Sequence, residues 1–177
     1  AKGVSGSLAE AAQSEVVAKI AELGENIIIR RNIRYDLSGS GAIAAYVHLG
    51  AKVGVLLEVG CGNEATAQQE TFKDTVKDVT LHIAACNPHY LDRSAVPQEL
   101  LQAEREIYAK QVENKPANII QKIVDGKSEK FYGQVCLLEQ GFVKDPEQTV
   151  TEFLAVRGKE LNDTLTIRRF VRYQVGV

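Results

Sequence analysis

The sequence predicts an α+β protein. We expect an antiparallel three-stranded sheet packed with helices, a protruding antiparallel helical hairpin, and the remnant of a preceding, related subdomain. Three observations predict this fold class. Apolar segments of strand length alternate with segments of helical periodicity, two charged helices follow one another in the middle of the chain, and one strand pattern occurs twice. With 45% hydrophobic and 25% charged residues among 177, the chain has the composition of a globular protein that buries a core.

The first elements are a helix and a strand. Apolar residues recur at helical spacing over residues 7–23, Ser7 is suited to cap the helix, and Gly24 is suited to end it. The next segment, Asn26 to Tyr35, is rich in isoleucine and arginine and predicts a strand. A flexible Ser/Gly segment follows at 38–41.

Two more strands, a loop and a helix come next. Residues 42–49 and 52–59 predict strands, with Gly50-Ala51 as a tight hairpin turn. Residues 60–69 are polar and predict a loop. The segment 70–85 predicts a helix that Asn87-Pro88 ends, with one apolar face formed by Phe72, Val76, Val79 and Ile83.

Residues 97–134 predict the helical hairpin. Its helices cover about 98–113 and 116–134 and are separated by Asn114-Lys115-Pro116, with the proline in the first turn of the second helix. We expect the apolar residues of the two helices to face each other, namely Leu100, Leu101, Ile107 and Tyr108 against Ile119, Ile120, Ile123 and Phe131. Two lone helices bury little surface, so this element should protrude.

The C-terminal part predicts a short segment, a helix and a strand. Val135 to Gln140 and Phe142-Val143 precede a turn at Asp145-Pro146. A helix from about 147 to 157 and a strand from Leu165 to Val175 complete the chain.

A repeated strand pattern predicts the domain organisation. Ile29 to Tyr35 matches Ile167 to Tyr173 at five of seven positions, and each copy follows a helix and a short turn. The simplest explanation is two related subdomains. Residues 1–36 are then the last helix and strand of the first, and residues 37–177 are the complete second, with the hairpin inserted at about 97–134.

The chemistry-bearing residues do not predict an enzyme. No phosphate-binding glycine loop and no nucleophile elbow is present. Of the histidines, His82 is best explained as a structural residue with satisfied hydrogen bonds, and His89 as an exposed loop residue. Cys61 lies between two glycines, but nothing nearby in the sequence marks a base, so we do not assign it as a nucleophile.

Cysteine usage and charge exclude further classes. Cys61, Cys86 and Cys136 are widely spaced and form no zinc motif, so we expect free thiols, no metal and no cofactor. The net charge of −2 gives no general attraction to nucleic acid or to an anionic membrane. No apolar run approaches the roughly 20 residues that cross a bilayer, and we expect no signal peptide.

The paired arginines of the two Ile-Arg-Arg strands have two interpretations. Two adjacent guanidinium groups suggest a phosphate site. However, neighbouring strand residues such as Arg30 and Arg31 point to opposite faces, so they cannot form one fork. Salt bridges to carboxylates of the helices are the favoured interpretation.

Five ordered motifs resemble those of the translation elongation factor Ts family. They are similar to its GEN-hydrophobic-RR strand, its Y-x-H-x-G-x-[RK]-[IV]-G-V-L hairpin, its MHIAAxxP helix end, its LLEQPFVKDP segment and its C-terminal RRFxRFEVG strand. In this sequence they lie at Leu23–Arg31, Tyr46–Leu56, Leu81–Pro88, Leu137–Pro146 and Arg168–Gly176. The resemblance extends from about Val16 to Gly176.

The resemblance implies a partner and a mechanism. Members of this family bind elongation factor Tu and act as guanine nucleotide exchange factors that promote the release of its GDP. In the family, the turn before the GEN strand and the hairpin histidine contact the GTPase, which implies partner-binding roles for Leu23, Gly24 and His48. Each also has a structural explanation: Leu23 and Gly24 end a helix, and His48 forms a hydrogen bond across the hairpin. The family implies the bacterial cytoplasm, or an organelle matrix or stroma.

Two departures from the family pattern limit what the resemblance implies. The N-terminal three-helix module and the TDFV motif have no counterpart in this sequence. At the matching place of the second repeat stand Asn63-Glu64-Ala65-Thr66, and Ala65 lacks the bulk of the phenylalanine. We therefore expect weak binding and poor exchange by this chain alone. The alternative is a dimerisation or scaffolding module, because an apolar strand at 27–33 without its own partner strands should seek another edge or a second chain.

Overall fold

The computed structural model describes residues 8–48 and 50–176. The chain divides into two compact units, Ala1–Tyr35 and Asp36–Val177. Ser7, the expected helix cap, and Leu49, the expected end of a strand, lie outside the described residues.

The first unit contains two helices, α1 (Leu8–Ala11) and α2 (Gln13–Leu23). The single predicted helix is interrupted because Ala12 has φ −100° and ψ 6°, outside the helical range. Gly24 ends α2 in the left-handed region, with φ 71°, and its N–H donates to the carbonyl of Ile20.

The predicted strand over Asn26–Tyr35 is wrong, since this segment forms no strand. A strand needs ladder hydrogen bonds to a neighbour, and the described part of this unit has no second strand. The segment nevertheless keeps its apolar residues in contact with solvent, and Ile28 is 75% exposed.

The second unit is α+β, as predicted. A three-stranded antiparallel sheet, a small two-stranded sheet and five helices form it. The elements are β1 (Gly41–His48), β2 (Val53–Gly60), α3 (Glu64–Gln68), α4 (Glu70–Cys86), α5 (Gln98–Lys110), α6 (Ala117–Val135), β3 (Gly141–Phe142), β4 (Asp145–Thr149), α7 (Val150–Leu161) and β5 (Thr166–Gln174).

The larger sheet has the order β1-β2-β5, so β1 and β5 are its edges. Its inner face packs against α4, and α7 packs against α4 in the same core. Alternate residues of β2 are buried there, from Val53 through Val55 and Leu57 to Val59. The predicted apolar face of α4 is confirmed, because Phe72, Val76, Val79 and Ile83 all belong to this core.

The helical hairpin of α5 and α6 is confirmed as a weakly buried element. No residue of α5 is buried, and α6 buries only Val124, Ser128 and Phe131. Leu101 and Phe131 meet in a small separate cluster with Val96 and Cys136. The expected mutual burial of the other apolar residues is incomplete, because Leu100, Ile107 and Ile119 remain exposed.

Two local predictions need correction. The predicted loop 60–69 contains helix α3, because the Asn63 side chain caps it by accepting the N–H of Ala65 at 2.9 Å. The turn predicted at Asp145-Pro146 lies instead at residues 143–144, between β3 and β4. Helix α7 then begins at Val150, since Thr149 and Glu152 form a capping box.

Candidate partner-binding surface

The hairpin of β1 and β2 carries the surface that the resemblance singles out. Gly50 and Ala51 both have positive φ, 62° and 69°, as a two-residue type I′ turn requires. His48 pairs with Val53, the register position nearest this turn among the described residues. The predicted tight turn is confirmed, and it places His48 at the end of the sheet.

Tyr46 holds the imidazole of His48. The two rings stack with centroids 5.6 Å apart, and the tyrosine hydroxyl lies 2.7 Å from Nδ1 of His48. The tyrosine is half-buried against the core, whereas His48 and Val47 are exposed, Val47 at 64%. The hydrogen bond therefore runs along one face of β1 and not across the hairpin, which corrects the structural explanation from the sequence. A fixed, exposed histidine beside an exposed valine is suited to contact a protein.

Leu23 and Gly24 lie in the first unit. Leu23 is 60% exposed at the end of α2, and Gly24 forms the left-handed cap described above. Both are accessible within their unit, and both have the structural role of ending a helix.

The second pair of arginines binds one buried carboxylate. Glu58 on β2 is 1% exposed, and its Oε2 accepts from Nε of Arg169 at 2.6 Å. Nη1 of Arg168 lies 3.3 Å from Oε1, which also accepts the N–H of Ser38 at 3.1 Å. Burial opposes ionisation of Glu58, but the Ser38 hydrogen bond and the two arginines outweigh it and lower the pKa of the carboxyl.

A β-bulge explains why adjacent arginines reach the same group. Glu58 pairs with Arg169 and Val59 pairs with Ile167, so Arg168 is the extra residue. The alternation argument is therefore wrong for this copy, and the partner lies on a strand instead of a helix. The first copy, with Arg30 and Arg31, lies in the segment that forms no strand.

His82 is confirmed as a structural histidine. Its side chain is fully buried, Nδ1 accepts the N–H of Val143 at 3.1 Å, and Nε2 lies 2.9 Å from Oε1 of Gln140. Burial lowers the pKa of His82 against the effect of the Gln140 hydrogen bond, so the neutral imidazole is favoured. His89 is exposed, as predicted.

Cys61 does not have the properties of a nucleophile. The thiol is buried and donates to the carbonyl of Asn63 at 3.2 Å, and burial, with the charge of Asp163, raises its pKa. Asp163 also holds this loop by accepting the N–H groups of Gly62 and Asn63 at 2.8 and 3.0 Å. Ala65 is exposed on the adjoining helix α3, and all three cysteines are free thiols, as expected.

The described residues contain neither a cluster suited to a metal ion nor a helix suited to span a membrane. No group of three or more His, Cys, Asp or Glu side chains in the described ranges is placed to hold a metal ion. Nor does any helix there combine the length and apolar character that crossing a membrane requires.

Tyr46 belongs to this surface but was not among the residues predicted from the sequence to form it. Because residues two apart in a strand share a face, the Tyr-x-His spacing in a predicted strand was sufficient to find it. The bulge at Arg168 had no comparable signal.

Comparison with known proteins identifies the family. A family model described as Elongation factor TS matches residues 3–177. The chain is 47% identical over 138 residues to Elongation factor Ts of Geobacter sulfurreducens, covering 77% of this chain and 64% of that protein. It is 40% identical over 178 residues to Elongation factor Ts of Trichlorobacter lovleyi, covering 99% of this chain and 57% of that protein. The chain is 41% identical over 170 residues to Elongation factor Ts of Alkaliphilus oremlandii, covering 95% of this chain and 77% of that protein.

These matches define the class of protein as a translation elongation factor. The chain belongs to the elongation factor Ts family. It spans about 57 to 64% of the length of the first two relatives named above.

Proposed function

We propose that this chain binds elongation factor Tu and promotes the release of GDP from it. The observation that carries the proposal is the exposed His48, fixed by Tyr46 at the end of the β1–β2 hairpin. A preorganised side chain loses little conformational freedom when it binds, so more of its contact energy appears as affinity.

Exchange by such a protein needs no reactive group. If the chain binds nucleotide-free elongation factor Tu more tightly than the GDP-bound form, it weakens GDP binding by the same ratio. The absence of a nucleophile at Cys61 and the structural role of His82 fit this mechanism. We infer a non-enzymatic factor that acts through differential affinity.

The loop around Ala65 supports weak activity for the isolated chain. Ala65 is exposed on α3, where the family motif carries a phenylalanine, and a methyl group is too small to displace groups around a bound nucleotide. We propose that this chain supplies docking surface, with His48, Leu23 and Gly24 as contacts, and that its own exchange activity is low.

Two measurements on the 177-residue chain test the proposal. Release of a fluorescent GDP analogue from elongation factor Tu is followed by stopped flow, and binding to nucleotide-free elongation factor Tu by pull-down. We expect binding with little acceleration of release, and we expect His48→Ala to weaken binding about tenfold or more. His89→Ala removes another exposed imidazole of the same unit and should leave binding unchanged.

Three outcomes would count against parts of this proposal. Failure to bind any nucleotide state would remove the function. Full exchange activity of the isolated chain would overturn the low activity that we assign to it. Equal effects of the His48 and His89 variants would remove the assigned role of His48.

A second candidate is a dimerisation or scaffolding module. The segment Asn26–Tyr35 presents Ile28 and Ile33 to solvent, and exposed apolar groups favour association. Sedimentation at increasing concentration distinguishes the two, since a strict monomer that binds elongation factor Tu excludes self-association as its main role. The relatives named above are bacterial, so we infer the bacterial cytoplasm as the location.

A further inference from the structure

Strand β1 is an unprotected sheet edge. It pairs with β2 from Gly41 to His48 in a register without shifts, and it has no second ladder among the described residues. Natural edges are commonly protected by charged residues, proline or bulges. Strand β1 contains no Asp, Glu, Lys or Arg and no proline. Its outer backbone groups are therefore suited to pair with a further strand.

A groove of about 280 Å³ follows this edge. It is lined by the five consecutive residues 42–46 of β1 and, on α4, by Lys73, Val76, Lys77 and Thr80. Side chains of consecutive strand residues point to opposite faces. Side chains on one face alone could not place five consecutive residues in the same groove. The backbone edge of β1 must therefore form one side of the groove, so the groove runs along this edge.

The floor of the groove is small and apolar. Ala42 and Ala44 are half-buried against the core, and Val76 is buried beneath them. Alanine leaves space where larger strand residues would fill it. Since one water in the liquid occupies about 30 Å³, the groove has room for side chains as well as solvent.

The charged residues that line the groove have one sign. Lys73 and Lys77 are four residues apart on α4, which places them on the same side of the helix. Both are exposed, and neither has an ion-pair partner in the part of the chain that the structure describes. On the same helix Asp78, by contrast, is paired with Lys144 at 2.6 Å. The groove therefore offers positive charge to a ligand.

We propose that β1 accepts an extended acidic peptide segment of a protein partner as a fourth strand. The backbone of the peptide binds the open edge, and every second side chain of the peptide then faces α4. Among these inward-facing side chains, the aliphatic ones occupy the alanine floor and the carboxylates lie against Lys73 and Lys77. Such strand addition combines backbone affinity with side-chain selection at alternate positions. The inference does not rest on the exchange function.

Synthetic peptides test the backbone part of the proposal. The probe is a fluorescently labelled seven-residue peptide, Val-Thr-Glu-Thr-Val-Thr-Glu, which carries valine and glutamate in turn on one face of the strand and threonine on the other. Its comparisons are the lysine-for-glutamate peptide and two forms N-methylated at odd or at even positions. Binding to the full chain is followed by fluorescence anisotropy and by amide NMR. We expect the acidic peptide to bind and to shift amides of residues 41–48. One N-methylated form should bind about as well, while the other, which blocks the hydrogen-bonding side, should bind at least about tenfold more weakly.

Charge reversal tests whether Lys73 and Lys77 attract the acidic peptide. The double variant Lys73→Glu/Lys77→Glu should weaken binding of the acidic peptide by about tenfold, as expected for two exposed ion pairs. The control Lys110→Glu/Lys115→Glu makes the same charge change on the helical hairpin and should have little effect. Circular dichroism verifies that each variant is folded.

Five outcomes would overturn the proposal. The first four are no binding of the acidic peptide, equal binding of both N-methylated forms, equal losses in the two double variants, and NMR shifts confined to another surface. A concentration-dependent shift of the β1 amides without peptide would assign the edge to a second copy of this chain and would also overturn it.

Discussion

Nε2 of His82 on α4 lies 2.9 Å from Oε1 of Gln140, which follows α6 in the chain. Because Nδ1 accepts the N–H of Val143, Nε2 carries the proton and donates it to Gln140. The amide of Gln140 then donates to the carbonyls of Gln134 at 2.6 Å and Cys86 at 3.4 Å. This network joins the end of α4, the end of α6 and the turn after β3, so it fixes the base of the helical hairpin on the core.

The His82 network predicts a pH dependence of stability. Burial places the folded-state pKa of His82 below its ordinary value of 6.5. Above pH 6.5 both states are neutral. Below it, the unfolded chain binds a proton that the native histidine does not, so the free energy of unfolding falls until the folded pKa is reached. We expect urea unfolding to show up to about 1.4 kcal/mol lost per pH unit in this window.

Two variants assign that pH dependence to His82. His82→Gln should lower stability at pH 7.5 by about 1 to 3 kcal/mol and flatten the dependence below pH 6.5. His89→Gln changes an exposed histidine and should keep the wild-type profile. An unchanged profile in the His82 variant would contradict the assignment.

Loss of the Glu58 carboxylate should destabilise the second unit. Glu58→Gln removes the buried negative charge that the guanidinium groups of Arg168 and Arg169 share. Because Arg169 is partly exposed, solvation of its guanidinium offsets part of the lost free energy of folding. We expect a loss of about 1 to 3 kcal/mol in urea unfolding at pH 7. Since the pKa of Glu58 is lowered in the fold, its contribution is present above the unfolded value of 4.5 and is lost as the pH falls through the folded pKa. Glu147→Gln, at an exposed position, is the control and should change little.

Gly60 should not tolerate a side chain, whereas Gly54 on the same strand should. A Cβ at Gly60 would lie 2.5 Å from the guanidinium carbon of Arg168, while a Cβ at Gly54 meets nothing within 4 Å. The end of the arginine side chain can move away, so the cost is mainly the loss of its hydrogen bonds to the Ser40 carbonyl and to Glu58. We expect Gly60→Ala to lower the melting temperature by a few degrees, corresponding to about 1 to 2 kcal/mol. Gly54→Ala should be neutral or stabilising, since it restricts the unfolded chain. In the Gly60→Ala/Arg168→Ala double variant the two effects should be non-additive, and strict additivity would argue against the clash.

A second glycine in the turn of the β1–β2 hairpin should increase the stability of the protein. Ala51 has φ 69°, a conformation that disfavours a Cβ. Ala51→Gly is expected to stabilise the protein by about 0.5 to 1 kcal/mol, measured by thermal unfolding. Gly50→Ala introduces the same strain at φ 62° and should destabilise by a similar amount. A loss of stability in Ala51→Gly would show that the turn does not keep this geometry in solution.

Local chemistry determined much of the fold in advance. The alternating strands β1 and β2, the apolar face of α4 and the Gly50-Ala51 turn follow from periodicities and turn residues within short stretches. The assignment of His82 as structural likewise followed from its place in an apolar helix. The candidate contacts Leu23, Gly24 and His48 came from motif resemblance and stay predictions, of which the His48→Ala variant tests one.

Features that depend on distant parts of the chain were not predictable in this way. The segment Asn26–Tyr35 has strand composition but no strand, because composition does not supply the neighbouring strand that a ladder requires. The pairing of Arg168 and Arg169 with Glu58 spans about 110 residues of sequence and depends on a bulge that no local pattern marks.

The sequence by itself determined the α+β class, most of the elements of the second unit and the family to which the chain belongs. Each depends on residue types at short, regular spacings. Only the tertiary structure decided which carboxylate meets the arginines, how Tyr46 orients His48, and that a groove with two lysines borders the open edge of β1. These are relations between elements, and they are fixed by register, burial and packing across the whole domain.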